Sequence, residues 1–466
     1  MSSSVYPGDY IGPRHEGEWH LPPGLRRPLH RYLRRPWANF GDPIPLFEHL
    51  HARFGRIACY RFMGKLIVFV NDPEWINEIL INQAGSFVKE RTLRRMKILL
   101  GEGLITSDDP IHMRQRRIAA PAFHRQRIAG YAGQMVANAV TLRDSWSDGE
   151  ELDISAAMMR LSLQIIARTL FDQEVTPEVL SVADEVNTIM GLYNFLVAFP
   201  KLESVLHWPI PGVMQFRRSR ARLDAIVQRM IADRRALTRN ELERRNDLMS
   251  MLIAAQDEDA SRMTDEQVRD EAMTIFLAGY ETVANSLAWT WYLLSQNPGA
   301  RERMVREVDD VLGGRAATLE DLPSLRYTEM VFAESMRLYP PAWAMGRAAT
   351  RAVQLGEYRL PPGTHIFFSQ YVIHRSPEYW AEPLEFRPER HTPEAKAARP
   401  RFVYFPFGGG RRQCIGESFA WMEGVLALAT IAQRWRMEFV PRFPVVPQAK
   451  ITLRPKFPLM VKLHAR

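Results

Sequence analysis

The stretch from Thr264 to Pro298, TDEQVRDEAMTIFLAGYETVANSLAWTWYLLSQNP, constrains the fold more than any other. Thr264 with Gln267 three residues on is a capping box, a helix start. Asn297 precedes a proline, which pushes it out of the helical region and ends the run. At 1.5 Å per residue such a helix spans roughly 50 Å, enough to cross a whole domain. Its apolar middle comes nearer than any other segment to the length of a membrane span, but Glu281 and Asn285 interrupt it. Gly279 costs up to ~1 kcal/mol against alanine in mid-helix. Close approach of a flat ligand would supply a reason for it. The adjacent acid and alcohol, Glu281 and Thr282, could deliver protons in an apolar site. They could equally be a solvated pair on a core helix, and the helix alone leaves both open.

The rest of the chain reads as mainly helical. Helical spacing recurs in 112–140, 154–172, 176–190, 213–240 and 245–256. A short helix, DPIPLFEHLHARFG, ends at Gly55, and IACYRF and KLIVFV are two strands joined by Met-Gly. From about 345 the pattern turns β-rich. Residues 1–40 read as an irregular, Pro-rich arm. With no Ser/Gly linker and no repeat, residues 1–466 are expected to form one domain, mainly α with minor β (α+β).

Formal charge is +8 and the pI about 9.5, which favours an acidic partner. No basic tract is interleaved with aromatics, so no nucleic-acid partner is expected. No apolar run suits a secretory leader or a transmembrane anchor. Cys59 and Cys414 are the only cysteines and are far apart. This suits a reducing, cytoplasmic compartment and excludes cysteine-rich metal clusters.

One of those cysteines sits in FPFGGGRRQCIGESFA, residues 405–420. Glycines let the backbone turn tightly against a bulky partner. Two arginines and a following helix N-terminus stabilise a thiolate. Such a thiolate suits metal ligation or nucleophilic attack, although a lone cysteine is more often a small buried hydrophobe. The glycine spacing fits neither phosphate-loop pattern.

Phe407, Gly410, Arg412, Cys414 and Gly416 match the haem-binding signature F-x-x-G-x-R-x-C-x-G, and the chain thereby resembles the cytochrome P-450 family. Other stretches resemble the family in the same order. AGYET (278–282) matches its oxygen-side motif. Glu334 and Arg337 match its E-x-x-R pair, with Arg390 as the third member; the family usually has an aromatic at the next position, here His391. His112 and Arg116 match H-x-x-x-R of soluble bacterial members. The resemblance implies the P-450 fold, with a long central helix crossing the haem and small β-rich lobes from both chain ends. It implies haem b, with Cys414 as the axial thiolate ligand to iron. His112, Arg116, Arg347 and Arg412 would hold the propionates. Ala278, Gly279, Pro406, Phe407, Ile415 and Gly416 would line the cofactor. Glu281 and Thr282 would be catalytic, handling the protons of oxygen activation. Glu334, Arg337 and Arg390 would be a structural ion-pair network.

The activity so implied is a haem-thiolate monooxygenase. It would insert one atom of O2 into a hydrophobic small molecule of terpenoid, steroid or fatty-acyl type. The chain runs only about 50 residues past Cys414, so no fused reductase is expected. Electrons would come from a separate acidic ferredoxin or flavodoxin with its reductase. It would dock near Arg114, Arg117, Arg125, Arg127, Arg401 and Arg411. Segments 87–105, 190–200, 205–212 and 340–345 are the expected substrate walls, or simply core. A peroxide-driven peroxygenase of the same fold is the alternative. A haem-based gas sensor or non-enzymatic haem binder is a more distant one.

Overall fold

The protein's computed structural model describes residues 8–38, 41–172, 208–245, 247–254 and 263–466. The expected helical segment 176–190 and the expected wall segment 190–200 lie outside the described residues. So do residues 205–207 of the wall segment 205–212 and residues 246 and 255–256 of the helical segment 245–256.

Its principal helices are α1 (Ile44–Phe54), α2 (Ile111–Ala119), α3 (Ala132–Asp144), α4 (Ile154–Phe171), α5 (Pro211–Arg235), α6 (Asp265–Gln296), α7 (Pro298–Leu312), α8 (Arg326–Leu338) and α9 (Glu417–Ala432). Helix α6 is the capped segment anticipated above. Thr264 Oγ1 accepts from the Gln267 amide at 3.2 Å, and Gln267 Oε1 accepts from the Thr264 amide at 3.0 Å. The reciprocal cap satisfies two of the donors that a helix start leaves open. Helices α3, α4, α8 and α9 bury their apolar faces with α6 in the largest core cluster. Among the described residues, α4 is the one helix long and apolar enough to cross a membrane, with mean hydropathy 1.2. It is 61% buried inside the protein.

Seven strands form the main sheet, in the order 10–11, 24–25, 57–62, 65–70, 365–368, 345–349, 87–89. The hairpin Ile57–Phe62 and Lys65–Val70 turns through Met63 and Gly64, both at positive φ.

Three expectations need correction. Residues 1–40 are not irregular throughout. Strands Tyr10–Ile11 and Gly24–Leu25 pair in the main sheet, while Arg14–Glu16 and Trp19–Leu21 pair beside Tyr358–Leu360. Strands of two or three residues are too short to show a period. Gly24 permits the seating, since a Cβ there would fall 1.7 Å from the Cys59 carbonyl oxygen. Segment 112–140 is not one helix. It is divided near Pro121, which has no N–H to give, and again at Gly130. Nor do the lobes come only from the chain ends. Glu151–Asp153, before α4, pairs with Met460–Ala465, which pairs with Trp435–Phe439.

Candidate active site

The cysteine loop is shaped by its glycines. Gly408 and Gly410 have φ of 72° and 71°, where L side chains are disfavoured. A Cβ on Gly410 would lie 2.3 Å from the Leu80 carbonyl oxygen, so the loop is seated against residues 80–81. The Gly408 amide donates to Phe405 O at 2.9 Å, and the Cys414 amide donates to Phe407 O at 3.0 Å. These bonds bring Phe407 back beside the cysteine, and the Phe407 ring meets Trp421 of α9 at 5.8 Å. Gly416 is the N-cap of α9, and its backbone hydrogen bond to the cysteine favours the thiolate. Pro406 and Ile415 flank the same turn. Cys414 exposes side-chain surface yet is closely surrounded by protein atoms. That burial pushes its thiol up to about 11. A proton therefore stays on Sγ unless a metal cation displaces it. Cys59 differs. It is buried in a strand, donates to Pro22 O at 3.1 Å and receives Arg14 Nη1 at 3.7 Å.

Helix α6 is buried along almost all of its length from Val268 to Leu294, but Ala278, Gly279 and Thr282 retain accessible surface. At i, i+1 and i+4 they share one face. Thr282 Oγ1 donates to Ala278 O at 2.7 Å. At Gly279, a Cβ would lie 2.6 Å from Ile166 Cδ1, so close packing on α4 is one reason for glycine here. Glu281 is buried and accepts from Thr452 Oγ1 at 2.6 Å. Burial raises its pKa. Asn285 Nδ2 donates to the same hydroxyl at 3.1 Å. Leu453 N donates to Pro341 O, and Trp343 Nε1 donates to Lys450 O at 2.7 Å. The turn at 450–453 thus joins the Glu281 turn of α6 to segment 340–345. Met345 at the end of that segment reaches the cysteine loop beside Gly408.

Cations gather at one edge of the cysteine loop. Arg347 is buried in a strand and donates to Gly346 O at 2.8 Å. Burial and nearby Arg412 pull its pKa down to about 10. Arg412 Nη1 donates to Ser107 O at 2.9 Å, and Nη2 lies 3.5 Å from Asp108 and 3.6 Å from Asp109. His112 on α2 is buried with Nδ1 3.2 Å from Asp109. Burial, then Arg412 and Lys89, push it down to about 4, so it is neutral at pH 7. Arg116, one turn on, donates to Gln413 O at 2.7 Å and lies near Cys414, where burial lowers its pKa. The sequence reading missed Lys89. It is buried, and burial with Arg347 and Arg412 holds its pKa well below the usual lysine value. No motif marks it; only strand pairing brings it here.

The network around Glu334 is buried. Arg337 Nε and Nη2 donate to the two Glu334 oxygens at 2.8 Å each, and both side chains are 0% exposed. Arg390 Nε stands 3.4 Å from Glu334. His391 Nε2 is closer, 3.0 Å from Glu334 Oε2. The polar residue where an aromatic was expected therefore takes up the carboxylate.

Of the basic residues expected to meet a partner, Arg117 and Arg127 line a surface hollow of about 500 Å³ with Ala120, Pro121, His124 and Gln126. Phe123, between these residues, lies 3.8 Å from the Cβ position of Gly416, so the hollow backs onto the cysteine turn. Arg411 pairs with Asp109 at 3.1 Å. Arg401 stacks on Phe402 and Arg114 is on α2. The side chain of Arg125 lies outside the described residues.

These residues fit a haem. One accessible cysteine, a helix face with little side-chain bulk and mutually repelling buried cations suit, respectively, a metal, a flat macrocycle and its carboxylates.

The comparisons with known proteins agree. The family model for Cytochrome P450 matches residues 22–463. The chain is 39% identical to cyclooctatin synthase of Streptomyces melanosporofaciens, over 92% of this chain and 95% of that protein. It is 34% identical to pentalenene oxygenase of Streptomyces avermitilis, over 95% and 94%. Its backbone is similar to the crystal structure of the cytochrome P450DA heme domain, with a TM-score of 0.83 at 24% identity, covering 98% of each chain. Matches of that extent settle the family and the cofactor, haem held by a cysteine thiolate. The chain belongs to the cytochrome P450 family and is an oxygen-incorporating oxidoreductase.

Proposed function

We propose that the protein is a monooxygenase of terpenoid hydrocarbons, with Cys414 as the haem ligand and an acidic ferredoxin or flavodoxin as electron donor. The observation that carries the substrate class is the pair of relatives just named, a cyclooctatin synthase and a pentalenene oxygenase, each matched over nearly its full length. The bound haem supplies oxygen activation and electron storage. What this chain adds is position, exclusion of water and protons. Cys414 would hold the metal as its thiolate; the Gly416 hydrogen bond and Arg116 favour that anionic form. Lys89, Arg347 and Arg412 take the propionate charge, with His112 and Arg116 beside them. The Phe407 ring, packed on Trp421, would cover one side of the cysteine.

On α6, Glu281 and Thr282 divide the proton work. Burial lets the Glu281 carboxyl hold a proton nearer neutrality than an exposed acid does. Thr452 orients it. Thr282, on the accessible face, positions a proton at Oγ1. Electrons enter from the hollow lined by Arg117 and Arg127, behind the cysteine turn. A partner held there by charge is steered and screened by salt. Both cysteines being free thiols suits a cytoplasmic site of action.

The test is turnover with a panel of cyclic terpene hydrocarbons, steroids and fatty acids, using a ferredoxin and its reductase. A terpene should give the spin-state shift and an oxygenated product. Preference for a fatty acid or steroid would overturn the substrate class. Reduction should slow at least tenfold between low and high salt, and further in Arg117→Glu. Salt-independent reduction would overturn the docking face. Thr282→Ala should divert most electrons from product to peroxide while binding substrate normally.

A further inference from the structure

Segment 101–107 lies flat against α6, and the contacts that seat it are unusual. The Glu102 amide donates to Asp270 Oδ2 at 2.7 Å, and the Leu104 amide donates to Glu271 Oε2 at 3.1 Å. Consecutive carboxylates of α6 therefore hold alternate amides of the segment. Asp270 is steadied from its other oxygen by Arg269 Nη1 at 2.9 Å. Gly101 and Gly103 make the contact possible. A Cβ on Gly101, which has φ 56°, would fall 2.0 Å from Asp270 Oδ2; one on Gly103 would fall 2.0 Å from Thr274 Oγ1. Further bonds close the segment on itself and onto α2. Thr106 Oγ1 donates to Gly101 O at 2.7 Å, Gln115 Nε2 to Glu102 O at 2.7 Å, and Ser107 Oγ to Gln115 Oε1 at 2.9 Å.

The far end is held by the cysteine loop, through Arg412 and Ser107 O. One short strap thus runs from α6 to the arginine two residues before Cys414. Between its fixed points, Leu104 is buried and Ile105 is half-buried. Glu271 is 0% exposed, and burial pushes it up to about 8, so it seats the strap uncharged at neutral pH. Glu271 Oε1 and Thr274 Oγ1 are both buried without a partner among the described residues. They lie one turn apart on α6, and Ala278 and Thr282 follow at four-residue steps on the same side. The strap is therefore laid along the same side of the helix as the accessible Thr282 face.

We propose that Asp270 and Glu271 are positioning residues that fix the height of strap 101–107 over the Thr282 face, and so select which carbon of the substrate is oxygenated. The inference deepens the monooxygenase reading and rests on it. Its physical core is that an unsatisfied buried amide is costly, so an acceptor at 271 decides whether Leu104 stays down. Glutamine retains that acceptor; leucine removes it.

The experiment compares wild type, Glu271→Gln and Glu271→Leu as haem-loaded enzymes. Hydrogen exchange is followed by mass spectrometry over residues 100–107, and oxygenation positions are determined on one terpene substrate. Glu271→Leu should exchange at least tenfold faster in that peptide and should spread oxygenation over more carbons. Glu271→Gln should restore both, with the carbon monoxide spectrum unchanged throughout. Unchanged exchange in Glu271→Leu overturns the strap. Faster exchange with an unchanged product ratio overturns its role in selection. If the wild type oxygenates no terpene, the substrate class fails while exchange still decides the strap. Should Glu271→Leu not fold, Gly103→Ala, whose Cβ would press on Thr274 Oγ1 and Asp270 O, lifts the strap off α6 and gives the same readouts.

Discussion

Lys89 and Arg347 stand directly opposite each other across the antiparallel strands Phe87–Lys89 and Met345–Ala349, two buried cations in one register. Like charges facing across a sheet are destabilising, and burial adds to the cost. The arrangement makes sense when an anion lies against it. Lys89→Met should therefore act in opposite directions on the two forms of the protein. The haem-free form should gain about 1 kcal/mol in unfolding stability. The haem-loaded form should release haem about tenfold faster to a haem-scavenging globin, the loss of roughly one charged hydrogen bond. A variant that holds haem as tightly as wild type would take Lys89 out of the site.

Cys414 and Cys59 offer a contrast within one chain. Cys414→Ser should abolish the red-shifted band of the reduced, carbon-monoxide-bound protein. Cys59→Ser should leave that band in place, since the Cys59 thiol is occupied with Pro22 O and Arg14. Its stability should change by about 1 kcal/mol, the value of an ordinary hydrogen bond. The measurement is one absorption spectrum for each variant. Loss of the band from Cys59→Ser, or its survival in Cys414→Ser, would reverse the assignment.

What the sequence made legible follows the distance between partners. The cap of α6 needs residues three apart, and the Glu334–Arg337 pair likewise. The turn around Cys414 is built from neighbours, so its glycines and arginines could be read directly. The partner of Glu281 could not, because Thr452 is 171 positions away with no motif around it. Lys89 enters the cation cluster only through strand pairing. Gly279 looked like a place for a flat ligand, and what the fold sets against it is Ile166 of α4. Strap 101–107 carried two glycines, and its first five residues fell in the expected wall segment 87–105, but nothing pointed to its seat on α6. Its acceptors, Asp270 and Glu271, lie in the second turn of α6, beyond the first-turn acids Asp265 and Glu266, and no motif marks them.

The buried carboxylate of Glu334 holds parts of the chain that are far apart. It receives Arg337 twice, His391 once and the Arg387 amide at 2.9 Å. Arg337 in turn donates to the carbonyls of His374 and Pro383 at 2.7 Å and of Glu385 at 3.0 Å. His374 then accepts the Phe405 amide at 3.1 Å, at the entrance to the cysteine loop. Removing one member leaves a buried charge uncompensated. Glu334→Ala should cost about 3–5 kcal/mol in urea unfolding. The variant should also lose its red-shifted band at urea concentrations where helix content is still intact. Loss of band and helix together would mean that the network acts on global stability alone.

Glu423 on α9 gives a pH dependence with a definite sign. It is fully buried, its Oε1 accepts from Ser162 Oγ of α4 at 2.6 Å, and its Oε2 has no partner among the described residues. Burial raises its pKa from 4.5 to about 8. The folded state therefore holds a proton that the unfolded chain releases above pH 4.5. That contribution to stability is fully present below pH 4.5, declines as pH rises and is gone above about 8. The slope of the decline is at most about 1.4 kcal/mol per pH unit. Glu423→Gln keeps the acceptor for Ser162 and has no proton to lose. Its stability relative to wild type should be constant below pH 4.5, rise between 4.5 and 8, and level off above. Urea unfolding at pH 4.5, 6, 7 and 9 measures the difference. Parallel profiles for the two proteins would mean that Glu423 ionises in the folded state as an exposed acid does.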